Sequence, residues 1–293
     1  MELQPMPREG SARPKNSARN PKESPMLKRT ILILLALVLG SSQPLLADDA
    51  NPFPFRKNHP QVQVIETGEL TAKFDQYTII DVRSPFEFDI MRIKGAQNIP
   101  VSQSDFAEKV KALHQKSGKP MVFYCNGHTC EKAYQAATKA RQMAGVERAI
   151  AYDGGIFDWA KNNPKLTQLL DKPELDPKAL ITEDKFKAHL LEPQEFIDRA
   201  RAHPAAPIID LRDTFQSDGI SLFATRDIRT GFDIPKLKAI LNEAKQKGHT
   251  AFIYDAAGHQ IKNVQYLVED MGLKDYFFMK DGMVGYYAMI RQK

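Results

Sequence analysis

Two cysteines stand in a chain of 293 residues, five positions apart, in the stretch Tyr124-Cys125-Asn126-Gly127-His128-Thr129-Cys130-Glu131. Met121–Tyr124 reads as a buried strand without polar alternation, and Cys130–Ala144 as a helix. Ligands of open α/β sheets gather beyond the carboxyl ends of strands, and Cys125 ends one. A short glycine-containing loop entering a helix can turn backbone N–H groups inward. Asn126, Gly127, His128, Thr129, Cys130 and Glu131 would then form an anion nest. The same amides stabilise a thiolate, so the Cys125 pKa is expected below the reference of about 8.5. A thiolate held there can attack an electrophilic sulfur, and the nest can hold the charge of the persulfide or departing anion. The alternative is an inert core cysteine.

Cys130, at the first turn of the expected helix, should also have a lowered pKa. A Cys125–Cys130 disulfide is open to the pair if their Cα atoms come within about 7 Å. Cys130 can resolve a sulfenic acid or persulfide on Cys125, or shield it as a disulfide, or merely fill space. The spacing is not the Cys-x-x-Cys of thioredoxin-type motifs. His128 can add positive charge below about pH 6.5 or simply face solvent.

The remaining candidates read as structural. Asp81 and Arg83 form an ion pair or backbone anchor at a strand end, and Trp159 packs in the core. The other histidines lack metal spacing, and no Gly-x-Gly-x-x-Gly signature is present. No cofactor or metal is expected. Two cysteines exclude a disulfide scaffold and a four-cysteine zinc site. The net charge of +5 does not mark a nucleic-acid binder, because residues 1–47 hold seven Lys/Arg against three Asp/Glu. The rest of the chain is nearly balanced.

Strands and helices alternate from Asn51 onward, as in an open α/β sheet. Strands are expected at Val62–Ile65, Thr78–Val82, Ala96–Ile99, Met121–Tyr124 and Ala149–Tyr152. A second series follows at Phe186–Leu190, Pro207–Leu211, Ala251–Tyr254 and Tyr276–Met279. Helices are expected near Glu69–Phe74 and at Asp105–Gln115, Cys130–Ala144, Pro193–Ala202, Ile234–Lys247 and Lys262–Asp270. Landmarks repeat: Asp81-Val82-Arg83 with Asp210-Leu211-Arg212, Tyr124-Cys125 with Tyr254-Asp255, Asp153-Gly154 with Asp281-Gly282, at offsets of 129, 130 and 128. A tandem duplication is the expectation. The resulting division is 1–47 leader, 51–162 first domain, 163–184 packed linker and 185–293 second domain. Met283–Met289 is either a terminal helix or an apolar rim.

Residues 1–22 are polar and proline-rich, and Lys28-Arg29, the apolar run 31–39 and Ala47 resemble a secretory signal. The run is shorter than the roughly 20 residues needed to span a bilayer. The expectation is export to the periplasm or beyond without membrane insertion, with an uncleaved anchor as the alternative. Met26 is an alternative start.

The segments Asp81-Val82-Arg83-Ser84-Pro85-Phe86-Glu87-Phe88, Ile93-Lys94-Gly95-Ala96-Gln97-Asn98-Ile99-Pro100 and Gly154-Gly155-Ile156-Phe157-Asp158-Trp159 resemble the rhodanese-like family. The likeness is close over about 62–162 and weaker over 186–290. It implies two tandem α/β domains, each a mostly parallel sheet with helices on both faces. It also implies a sulfurtransferase passing sulfane sulfur through a Cys125 persulfide, from a small sulfur-containing anion or persulfide to a thiophilic acceptor. The family's common loop is Cys-Arg-x-Gly-x-Arg. Here Asn126 and Cys130 replace the arginines and Gly127 comes one place early, which should weaken binding of a dianion such as thiosulfate. Asp255 holds the nucleophile's place in the second half, which therefore lacks sulfur chemistry and is expected to shape access, bind an exported protein partner or cap a helix. The other readings are a non-catalytic binding or assembly module and a thiol oxidoreductase using Cys125 and Cys130.

Overall fold

The computed structural model describes residues 52–292 apart from 171, 214–220 and 225. The leader and the start at Met26 lie outside them. Described elements of the first half are β1 Gln63–Val64, α1 Thr67–Ala72, β2 Thr78–Asp81, α2 Pro85–Ile90, β3 Met91–Ile93, β4 Gln97–Asn98, α3 Phe106–Ser117, β5 Met121–Tyr124, α4 Lys132–Ala144, β6 Ala149–Tyr152 and α5 Gly155–Asn162. Then follow β7 Thr167–Leu169, α6 Glu183–Ala188, β8 Leu190–Leu191, α7 Pro193–Ala202, β9 Ile208–Asp210, β10 Asp227–Arg229, α8 Ile234–Lys247, β11 Ala251–Tyr254, α9 Ile261–Asp270, β12 Tyr276–Met279 and α10 Gly282–Arg291.

Two five-stranded parallel sheets result, ordered β1-β6-β5-β2-β4 and β8-β12-β11-β9-β10. Counting the strands of each sheet in chain order, each runs first, last, fourth, second and third. The fold is therefore α/β with parallel sheets. In both, the fourth strand lies central, hydrogen-bonded on either side. All four residues of β5 and of β11 are buried, the burial that a strand covered on both faces demands.

Helix ends follow local chemistry. Ser84 accepts from the Glu87 amide while the Glu87 carboxylate accepts from the Ser84 amide, and Pro85 occupies the first turn of α2. Gly118, Gly145 and Gly248 close α3, α4 and α8 in the left-handed conformation. Two elements differ from expectation. Phe186–Leu190 is not a strand: Thr182 caps α6 by accepting from Lys185 N, and only Leu190–Leu191 pairs with β12. Cys130 precedes α4 rather than opening it, since the helix starts at Lys132 after Glu131.

The segment between the halves is pinned. β7 pairs antiparallel with β3, and one hydrophobic cluster joins Ile156 and Trp159 to Leu175, Ile181, Tyr266 and Phe278. Phe86 of α2 meets Phe232 at 4.9 Å between ring centroids. The described residues of the two halves thus share a core across both sheets. No described helix is long and apolar enough to cross a membrane.

Candidate active site

Cys125 leaves the carboxyl end of β5 and is 0% exposed. The loop after it is held from one side by α5. Ile156 N donates to Cys125 O (2.9 Å) and Phe157 N to Asn126 O (3.5 Å). In a trans peptide the C=O and the following N–H point opposite ways. Fastening these two carbonyls to α5 therefore turns the amides of Asn126 and Gly127 away from it, toward the two sulfurs. This close approach needs glycine. A Cβ on Gly155, at φ +63°, would lie 2.4 Å from Gly127 N and 2.6 Å from Cys125 O.

The sulfurs sit among amides of both the loop and the first turn of α4. The amides of Gly127 and Ala133 serve the Cys125 sulfur, and those of Asn126 and Lys132 serve Cys130. Lys132 and Ala133 escaped the sequence reading, although the first helical amides have no partner within their own helix. Cys125 Sγ also lies 3.3 Å from the Cys130 carbonyl oxygen, a contact in which the thiol donates. Both cysteines are free thiols.

The electrostatics correct one expectation. Burial pushes the Cys125 pKa well up, and the hydrogen bond and charge of Cys130 push it further, against the pull of the Ala133 and Gly127 amides. Cys130 goes the other way, to about 6. The neighbouring Cys125 thiol contributes most, opposed by burial and aided by the Lys132 and Asn126 amides and the Lys132 charge. The negative charge of the pair therefore rests on Cys130 at neutral pH.

Side chains of the loop do other work. Asn126 Oδ1 accepts from Arg83 Nη1 (3.2 Å) and Asn126 Nδ2 donates to Glu87 Oε1 (2.7 Å). Arg83 is itself buried against Asp81 and the Met91 carbonyl, so Asn126 ties the loop to a buried ionic network. Its own burial pushes the Glu87 carboxyl up, but Arg83, Asn126 and Ser84 together hold it below its usual range. His128 Nε2 pairs with Asp158 Oδ2 at 2.6 Å, Thr129 is exposed, and Glu131 meets His59 at 2.7 Å. His59 belongs to a segment also anchored by Arg56, which donates to Asp153 through Nε (2.7 Å) and Nη2 (3.0 Å). Its part in the site had no spacing or motif to announce it.

A cleft of about 910 Å³ opens over Asn126–Lys132. Its walls include Phe55, Phe157 and Asp158, and Glu183, Phe186, His259 and Lys262 from the second half. Cys130 lines it; Cys125 lies beneath. The second half contrasts. The Asp255 carboxylate accepts from the amides of Ala257 (3.1 Å), Gly258 and Gln260 (3.0 Å), so that nest is filled by its own chain.

The model of the rhodanese-like domain matches residues 66–162. This part of the chain belongs to the rhodanese-like family. Its strands β2, β5 and β6, the Cys125 loop and the glycine pair ahead of α5 all fall inside that match. Over 83 residues the chain is 40% identical to the probable adenylyltransferase/sulfurtransferase MoeZ of Mycobacterium tuberculosis, covering 28% of this chain and 20% of that protein. It is 41% identical over 99 residues to the tRNA uridine(34) hydroxylase of Cytophaga hutchinsonii, covering 32% and 30%. The uncharacterized protein YqhL of Bacillus subtilis is 30% identical over 98 residues, covering 33% of this chain and 72% of YqhL. The chain thus spans under a third of the first two relatives.

Proposed function

We propose that the protein is a sulfurtransferase that carries sulfane sulfur as a persulfide on Cys125. The supporting observation is the Cys125 sulfur at the carboxyl end of the central strand with the Gly127 and Ala133 amides directed at it. Those amides favour an anionic persulfide more than the neutral thiol, which burial alone would prefer. A small sulfur-containing anion or persulfide is the donor, and cyanide or a thiol the acceptor. With Asn126 engaged by Arg83 and Glu87, no arginine of the loop supplies charge to a dianion, so a persulfide is favoured over thiosulfate. Export through the leader at 1–47 belongs to this reading, as does a partner-binding or access-shaping role for the second half.

Thiocyanate formation from cyanide tests it. Turnover is expected with both donor types, faster with the persulfide, and reduced at least about tenfold in Cys125→Ser. Unchanged turnover in that variant would overturn the proposal. The Cys125–Cys130 contact favours a second reading, a dithiol oxidoreductase. It requires reversible loss of two hydrogens coupled to reduction of a substrate disulfide.

A further inference from the structure

The nucleophile of the proposed reaction is closed off. Cys125 has no exposed surface and forms no part of the cleft wall, whereas Cys130 is partly exposed and lines it. The two residues are in contact, the Cys125 thiol donating to the Cys130 carbonyl oxygen at 3.3 Å. An electrophilic sulfur arriving through the cleft meets Cys130 first.

Resting on the sulfurtransfer reading, we propose that Cys130 is the receiving nucleophile and hands the sulfane sulfur inward to Cys125. In the first step a Cys130–sulfane sulfur bond forms. The donor's bond to that sulfur breaks, and its electron pair leaves with sulfite, if the donor is thiosulfate, or with a thiolate, if it is a persulfide. In the second step the Cys125 proton moves to the terminal sulfur of the Cys130 persulfide. The resulting Cys125 thiolate attacks that same sulfur. A Cys125–sulfane sulfur bond forms, the Cys130–sulfane sulfur bond breaks, and its electron pair restores the Cys130 thiolate. The sulfane sulfur keeps its oxidation level throughout, so no oxidant or reductant is consumed. The Gly127 and Ala133 amides then hold the carried sulfur until the acceptor takes it.

Charge around Cys130 suits a receiving thiolate. Lys132 follows it. Of the other groups at the mouth, His128 is paired with Asp158 and Glu131 with His59, while Glu183, His259 and Lys262 approach from the second half. The Cys130 thiol ionises near pH 6, so the receiving thiolate forms above that pH and is lost below it.

Rapid quenching after mixing reduced protein with thiosulfate or a low-molecular-weight persulfide, followed by peptide mass mapping, tests the relay. Sulfur is expected on Cys130 first and Cys125 later. It should stay on Cys130 in Cys125→Ser, and Cys130→Ser should slow loading of Cys125 by about tenfold or more. Loading of Cys125 at the wild-type rate in Cys130→Ser would overturn the relay and leave sulfurtransfer standing. No added sulfur on either cysteine of folded wild-type protein would overturn the transfer reading itself. Release of hydrosulfide with a Cys125–Cys130 disulfide would replace the relay by dithiol chemistry. On the unaltered protein, iodoacetamide should label Cys130 before Cys125, with a midpoint near pH 6; Cys125 labelled first would also overturn the relay.

Discussion

A thiol buried at a strand end is pulled two ways: desolvation keeps its proton, and amides aimed at the sulfur release it. At Cys125 burial wins, and the neighbouring Cys130 takes the charge. The order strand, cysteine, glycine, helix pointed to the Asn126 and Gly127 amides but not to those of Lys132 and Ala133. The expected Cys130 amide is instead taken by the Gly127 carbonyl at 2.8 Å. The partition of charge was not legible, because it depends on which sulfur faces the cleft. Asn126 is a similar case. As a residue type it reads as a lost positive charge, yet its side chain bridges Arg83 and Glu87. Asn126→Ala leaves both partners unsatisfied in a buried site and should cost about 1–3 kcal/mol, measured by urea denaturation. Glu87 carries a linked prediction. Its folded pKa is depressed, so its carboxylate adds stability that is present above the unfolded value of about 4.3 and lost as pH falls through the folded one. Glu87→Gln should flatten the acid side of the stability profile; an unchanged acid limb would contradict that.

Elements decide how closely the loop can be gripped. Gly118 and Gly155 both have φ +63°, but a Cβ on Gly118 meets nothing within 4 Å, while on Gly155 it overlaps the backbone of the cysteine loop. Gly118→Ala should cost only about 1 kcal/mol. Gly155→Ala should cost about 3 kcal/mol or more and reduce Cys125 loading. Equal losses in denaturation midpoint would refute the close-packed loop. Continuous apolar runs such as Met121–Tyr124 and Ala251–Tyr254 announce central strands because both faces need covering. The β3–β7 pair carries no such signal. Its Met91 and Leu169 register with one another through tertiary pairing, which short segments do not encode locally. At α6 the apolar residues of 186–190 suggested a strand, but the Thr182 cap and acidic first turn start a helix.

At the scale of the molecule, the two sheets repeat one strand order while their loops do opposite things. One leaves its amides to sulfur; the other binds them to Asp255. Asp255 in the nucleophile's place was readable from the aligned landmarks, but its self-occupied nest required the loop geometry. The cluster joining Trp159 to Phe278 makes the halves interdependent, so calorimetry should show one unfolding transition rather than two. Lys262 reaches the mouth from the second half, 4.9 Å over the Phe157 ring. Lys262→Ala should raise KM for an anionic donor about threefold to tenfold with kcat little changed, since a charge at the mouth acts on binding rather than on the reacting sulfur.

The most direct measurement is the location of sulfur after the reduced, folded protein has been equilibrated with a persulfide donor and freed of excess. Peptide fragmentation between the two cysteines should place one added sulfur atom on Cys125, removed by cyanide, and in Cys125→Ser on Cys130 alone. A fragment with unmodified Cys125 under those conditions, in protein whose fold is intact, would contradict a sulfur-carrying nest beneath the cleft.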